Sequence, residues 1–467
     1  MSKQFYEPHG LDFEMVLSSP IGGTEQINEM VAEINWFEDV YSPFMKIEVM
    51  IVDGLGLFDK LPITGDETLV FTYKNPNETQ YVQIFHIYKV SQRITIKERT
   101  HAYVLHGISI EGINNSLQQV YDPYIKQNPI AVVQNVFQKY LAATKSLVVD
   151  GGSNSSMIYS KIGSGQQPAK FIYELCSEIQ SSSHPECSSY LFWENRDQFN
   201  LRTISSLFKQ APKYQYYLGE PADKDLFEGT AKGKPEAPAK IISQFSFKDN
   251  VDHIGELMDG QTKNEVNLID PILKRFKVNP IEEKDKYQFD YVKDFDKLEH
   301  MQRGGGSKWM ADNGRVATGK RPGASHRRLL YTQLEEEGET YPSISYLGGR
   351  ASADPILSAP RKRQKFINKH LHERRNLSSH TVDITTPGTT DLMAGDHLLL
   401  YIAQPTQIKT EMSKYLLQWD PDPNFIVTSI RHVYRIAEEN YFTILSCSKE
   451  SYPKQPSGLP FDHGLYG

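Results

Sequence analysis

Residues 84–90 read Ile84-Phe85-His86-Ile87-Tyr88-Lys89-Val90, and residues 430–436 read Ile430-Arg431-His432-Val433-Tyr434-Arg435-Ile436. Upstream of each heptad lies a Gly-Asp pair followed by an apolar run: Gly65-Asp66 with Leu69-Val70-Phe71, and Gly395-Asp396 with Leu398-Leu399-Leu400. Downstream of each lies a further β-type run, Tyr103-Val104-Leu105 and Phe442-Thr443-Ile444-Leu445. Matching elements in one order, far apart in one chain, imply two copies of a β-rich module. Duplication of this kind is an assembly device, because few subunits then present many near-equivalent edges.

The first heptad carries Ile84, His86, Tyr88 and Val90 on one face and Phe85, Ile87 and Lys89 on the other. Both faces are fairly apolar, which suits a sheet covered on both sides or closed into a barrel. The 467 residues leave room for about three domains. With 39% hydrophobic and 23% charged residues the composition is that of a folded globular chain. Aromatic residues make up 11%, with 26 tyrosines, and favour β-structure and contact surfaces. A net charge of −7 supplies no general positive field for nucleic acid or an anionic membrane. The three cysteines, Cys176, Cys187 and Cys447, form no CxxC pair and read as buried or idle thiols. No apolar run reaches membrane-spanning length, and residues 1–7 lack a signal-peptide core, so membrane anchoring and Sec export are not expected.

Along the chain, residues 11–17 and 44–52 are strand-like, and Phe44 through Val49 alternates at period two. The first module is expected to end near residue 115. An α+β insert follows over 116–210. Asn128-Pro129 opens one helix and Gln167-Pro168 a second, whose stripe is Phe171, Ile172, Leu175, Cys176 and Ile179. Tyr190 through Arg202 reads as a hairpin with aromatic strands and a polar turn. Residues 207–240 read as a loop or linker, and 211–262 as a segment of linker and one strand, 240–247, which echoes Ile34-Asn35-Trp36-Phe37. Residues 263–360 read as an extended polar insert, irregular over 263–350, without a core of its own. A basic helix at 361–376 opens the 361–450 segment of resumed strands, and 451–467 is a Pro/Gly-rich tail. The fold class is therefore α+β, mainly β.

Several strings imitate known chemistry and fall short of it. Gly314 through Lys320 resembles a phosphate loop but has Arg321 where a hydroxyl should hold Mg²⁺. His372-Glu373 begins a zinc-protease string that ends at Asn376, without the second histidine. Asp420 through Asn424 lacks the glycine and the closing glutamate of a calcium loop. The pairs His86/His432 and Tyr88/Tyr434 could in principle do acid–base work. Their recurrence in both copies favours equivalent structural or interface positions. No paired carboxylates, nucleophile elbow or dinucleotide fingerprint appears, so no enzyme, cofactor or metal is expected. Arg361, Lys362, Arg363, Lys365, Arg374 and Arg375 form the strong basic patch, a face for a protein partner in preference to nucleic acid.

Taken in order, these features resemble the trimeric baseplate hub of contractile phage tails. They are also similar to the N-terminal part of VgrG spike proteins of type VI secretion. The resemblance rests on both β-modules, the insert with Phe192-Trp193-Glu194 and Phe199 through Arg202, and the Leu218-Gly219-Glu220-Pro221 turn. It rests further on Thr381 through Ile384, Gly388, Leu392, Gly395-Asp396 and the strands from Ile426 to Leu445. It implies that each module is a β-barrel tube domain, the second taking the strand near 241–247 and then 376–450. A homotrimer would present six such domains and join a threefold central spike to a sixfold tail tube or tube initiator. Baseplate wedge proteins would surround it, and DNA or an effector would pass through its channel. The location implied is the virion tail baseplate, assembled in the host cytoplasm. The competing expectations are a tail-associated cell-wall hydrolase and a nucleic-acid-binding β-barrel protein.

Overall fold

The computed structural model describes residues 10–61, 63–74, 79–97, 100–150, 159–179, 181, 189–218, 239–248, 263–270, 275–282, 326–331, 370, 373, 374, 377, 380–402 and 423–449. The first run of strands is β1 (Phe13–Ser19), β2 (Gly23–Gln26), β3 (Val31–Asp39), β4 (Lys46–Asp53), β5 (Thr68–Lys74), β6 (Gln80–Lys97) and β7 (Thr100–Ile108). A single helical turn, α1 (Leu57–Lys60), interrupts it. Period-two patterning places each strand's apolar set inward: Ile47, Val49 and Ile51 of β4 are buried while Lys46 and Met50 face out. The spatial order is β2-β1-β5-β6-β7-β4-β3, antiparallel throughout. The concave side encloses a core that includes Trp36, Phe71, Tyr73, Phe85 and Tyr103.

The insert holds α2 (Ile110–Leu117), β8 (Pro123–Gln127), α3 (Pro129–Val136), β9 (Leu147–Val149), β10 (Tyr159–Ile162), α4 (Pro168–Cys176), β11 (Tyr190–Glu194), β12 (Phe199–Thr203) and α5 (Ile204–Lys209). Both helix starts follow the proline signals: Pro129 and Pro168 each occupy the first turn, and Asn128 Oδ1 accepts from Ile130 N–H at 2.9 Å. The α4 stripe, Phe171, Ile172, Leu175, Cys176 and then Ile179, is completely buried. It packs with the aromatic faces of the β11–β12 hairpin, Tyr190, Phe192 and Phe199.

The second run comprises β13 (Tyr214–Leu218), β14 (Ala239–Ile242) and β15 (Gln244–Phe247). After a separate three-stranded sheet of β16 (Lys263–Asp270), β17 (Arg275–Glu282) and β18 (His326–Tyr331), it resumes. Its remaining strands are β19 (His380–Pro387), β20 (His397–Tyr401), β21 (Asn424–Arg435) and β22 (Asn440–Lys449). The spatial order is β14-β13-β20-β21-β22-β19-β15. Ranked by position in the chain, the seven strands of each run are laid side by side in the same sequence. One direction differs: β13 runs parallel to β20 and β14, whereas β1 is antiparallel to β5 and β2. The turn before β5 and that before β20 both place glycine at positive φ, Gly65 at 107° and Gly395 at 96°. At Gly395 a Cβ would also lie 2.7 Å from Trp193 Cζ2, so no side chain fits.

The two runs share one sheet because β21 outreaches β20. β20 pairs only with residues 424–426 of β21, and β3 takes the same edge from Ser429 to Arg435. With its outer edge given to β21, β3 does not return to β2, and among the described residues neither run closes into a barrel.

Three expectations are corrected. Residues 207–240 are not all loop: α5 ends at Lys209 and β13 lies within the sheet, with Tyr216 and Tyr217 buried in an aromatic strand. The segment 240–247 is two strands, not one, because β14 pairs β13 while β15 pairs β19, with Ser243 between them. The excursion after 263 is not irregular throughout, since Val266-Leu268 and Phe276-Val278 alternate well enough to build the β16–β17 ladder.

Candidate functional site: the seam between the two runs

The β3–β21 ladder brings Trp36 opposite His432 and Ile34 opposite Tyr434. Trp36 lies flat on His432, ring centroids 4.4 Å apart and 11° from parallel, with Tyr441 stacked behind it at 5.8 Å. His432 Nδ1 is 2.9 Å from the Tyr441 hydroxyl. Burial, reinforced by the nearby Arg196 charge, pushes the His432 pKa down to about 3, so the ring is neutral near pH 7. On the outer face Arg431 donates through Nε and Nη2 to Asn35 Oδ1 at 3.0 and 2.9 Å.

One carboxylate pins three parts of the chain at this seam. Glu38 of β3 accepts from Arg196 N–H at 3.1 Å and from Ala394 N–H at 2.9 Å. It thus ties the first run to the insert's hairpin turn and to the turn before β20. Burial raises the Glu38 pKa to about 7, opposed by the Ala394 N–H bond and the Arg196 charge. The native state therefore binds an extra proton between the ordinary carboxylate pKa and about 7, and this group's contribution to stability declines as pH rises across that window. A shift of this size corresponds to about 3 kcal/mol. Glu38→Gln, which cannot titrate, is expected to lack that decline; the difference between its urea-unfolding curves and wild type from pH 4.5 to 7.5 measures it.

The sequence-singled residues separate here. His86 is half-buried on the outer face of β6, opposite Thr68 and Ile108, with its pKa lowered chiefly by burial. Tyr88 is exposed at a bulge, its ring 6.2 Å from that of His106. His432 is buried in the seam, and Tyr434 packs edge-on to Phe13 at 5.8 Å. Each strand carries a one-residue bulge against its neighbour at Tyr88 in β6 and Thr428 in β21, and β6 shifts register twice more, between Ser91 and Ile94 and between Thr95 and Lys97. Lining up the bulges sets Ile87 beside Val427 and Val90 beside Ile430, and His86 beside Ile426. The heptad match names corresponding strands but in a register displaced along them, because its alternation of apolar and long residues recurs at every second position.

Of the basic run, Arg374 is described: it sits on a helical turn with its guanidinium 5.1 Å from the Tyr41 ring centre. The buried Glu373 and Leu377 flank it. Arg361, Lys362, Arg363, Lys365 and Arg375 lie outside the described residues, as do Cys187, the phosphate-loop look-alike, residues 420–422 of the calcium-loop look-alike, His372 and the 451–467 tail. Among the described residues no group of three or more His, Cys, Asp or Glu side chains is placed to hold a metal. No described helix is long and apolar enough to cross a membrane. Sequence reasoning missed Glu38, Arg196 and Lys145; only the polar turn Asn195-Arg196-Asp197 gave any local signal.

The surface has its own pattern. Val82, Ile84, Tyr88, Ile94 and Ile96 of β6, and Phe245 and Phe247 of β15, are large apolar side chains left exposed.

No protein-family model matches the chain, and no curated protein matches it. The fold is similar to that of a solved bacterial tail protein. It resembles a tail protein from Neisseria meningitidis at a TM-score of 0.50 and 9% identity, over 94% of this chain and 99% of that one. A 43 kDa prophage tail protein from Shewanella oneidensis aligns at a TM-score of 0.49 and 9% identity, over 94% and 99%. An Escherichia coli component of the type VI secretion system, described as similar to T4 tail proteins, aligns at 0.41 and 7% identity, over 91% and 76%.

Proposed function

We propose that this chain is the structural hub of a contractile-tail baseplate, built as a homotrimer of two-module subunits. The observation that carries the reading is the strand order laid down twice and joined edge to edge through the β3–β21 ladder. A chain with two such units makes a ring of six similar units from three copies, which suits a threefold spike on one side and a sixfold tube on the other. In this reading residues 1–115 form one tube domain, and 211–262 with 361–450 form the second. The insert at 116–210 braces the seam. The role is non-enzymatic, on the virion tail baseplate after assembly in the host cytoplasm. Its partners are the spike, the tube or tube initiator and the wedge proteins, with DNA passing through the bore.

His86 and Tyr88 serve this role on an outer sheet face, His432 and Tyr434 inside the seam. Arg374 lies over Tyr41 of its own chain; in this reading the basic run meets a protein partner and not the channel. Light scattering on the purified chain tests the reading: three times the chain mass is expected, with six lobes in particle images. A monodisperse monomer, with or without the spike, overturns it.

A further inference from the structure

We propose that strand β15 of one copy adds antiparallel to residues 91–96 of β6 in a second copy, in the register that the internal β3–β21 ladder defines. The inference rests on the two-module reading above and specifies which edges join the copies. In the second run, β21 continues past β20 and its edge is taken by β3. In the first run, β6 likewise continues past β5; beyond Ile87 its described ladder partner is β7 alone. The strand that corresponds to β3 is β15, whose described ladder partner is β19. The chain therefore satisfies one junction internally and presents the two halves of a second, one at each end.

The ladders fix the register. Val49 faces both Leu105 and Ile34, and Ile384 faces both Leu445 and Phe245, so Phe245 stands where Ile34 stands. Ser246 and Phe247 then take the places of Asn35 and Trp36. On the other side, Leu105 faces Val90 and Leu445 faces Ile430; three residues back along each strand, Ala102 faces Ile94 and Phe442 faces Val433. Val433 is paired with Asn35 and Tyr434 with Ile34. Transferred, this sets Ile94 opposite Ser246, Thr95 opposite Phe245 and Ile96 opposite Gln244.

Exposure agrees with the transfer. Inside the chain the junction residues Val433, Ile34 and Trp36 are 2%, 0% and 2% exposed, whereas Ile94, Phe245 and Phe247 are 59%, 37% and 38% exposed. A second copy is the occupant that presents the complementary edge in the required direction, and addition there would cover these side chains. Three copies so joined carry three internal and three intermolecular junctions, and the ring closes.

The test is a cysteine pair in the full chain, Ile94→Cys with Ser246→Cys, oxidised and run without reductant. Directly opposed residues of an antiparallel ladder have Cα atoms about 4.5–5.5 Å apart, within disulfide reach. Linked species of two and three chains are expected, stopping at three and absent from either single variant. The pair Ile94→Cys with Phe245→Cys, whose side chains leave opposite faces, is expected not to link. A trimer by light scattering in which the first pair stays unlinked overturns the edge assignment and leaves the three-copy reading standing. Linked ladders that run past three chains keep the edge and overturn the closed trimer. An unlinked monomer overturns both.

Discussion

Trp36→Ala is expected to destabilise the chain by about 3–5 kcal/mol, the usual cost of emptying a buried aromatic site. Trp36 is 2% exposed and touches both runs at once. It stacks on His432 and Tyr441 from the second run and meets Phe71 and Tyr73 of the first at 5.3 and 5.6 Å. Its removal leaves a void among aromatic rings that cannot collapse without moving β21. It also lets water reach His432. Burial now holds that imidazole's pKa near 3, far below its unfolded value. The depressed pKa contributes stability that is present above the unfolded value and is lost as pH falls through the folded one. In Trp36→Ala the His432 pKa is expected to climb toward the ordinary range, flattening the acid side of the stability profile. Urea unfolding between pH 4 and 8, with an imidazole titration by NMR, checks both effects. Trp36→Phe, which keeps a ring in the stack, is expected to cost roughly half as much or less. Equal losses in the two variants would show that the stack contributes nothing specific.

How much of this was legible in the sequence depends on the range over which each feature is encoded. The Asn128-Pro129 and Gln167-Pro168 helix starts are local, as is the hairpin from Tyr190 to Arg202, and each was readable from a few residues. Gly65 and Gly395 were readable as a repeated turn because each is followed by an aspartate and then an apolar strand, and both glycines stand at positive φ. The heptad match found the right pair of strands and missed their register, which is set by bulges that no periodicity announces. Tyr214 through Leu218 was hidden because a strand covered on both sides, here Tyr214-Gln215-Tyr216-Tyr217-Leu218, shows no clear alternation. The fate of the β3 edge was beyond local reading altogether. Phe37 alternates as any strand residue does, and nothing near it says that its partner is Arg431. The same holds for Glu38, whose two N–H donors come from Arg196 and Ala394.

The buried ion pair below the seam should prove equally costly to break. Lys145 Nζ donates to Glu194 Oε1 at 2.8 Å, to Gln83 Oε1 at 2.9 Å and to the Asn195 carbonyl at 3.0 Å. Glu194 is completely buried; its other oxygen accepts from Met45 N–H at 2.9 Å and Ser109 Oγ at 2.6 Å. Burial raises the Glu194 pKa, while the Lys145 charge and hydrogen bond oppose the rise. Lys145→Met removes the opposing charge and leaves a buried carboxylate without a counter-charge, a change that costs about 3–5 kcal/mol near neutral pH. Since a raised folded pKa means that stability falls as pH rises above the ordinary carboxylate value, the deficit is expected to shrink as pH falls from 7 toward that ordinary value, with Glu194 taking up a proton. Adding Glu194→Gln to Lys145→Met removes the uncompensated charge, and the double variant is expected to be more stable than Lys145→Met alone. A double-mutant cycle by urea unfolding at pH 7 and pH 4.5 reads the pair directly. Additive losses at pH 7 would mean that solvent screens the two charges from each other. Because Lys145 also holds Gln83 of β6 and the Asn195 turn, the loss in Lys145→Met should appear first as faster hydrogen exchange along the β11–β12 hairpin, ahead of the β3–β4 ladder.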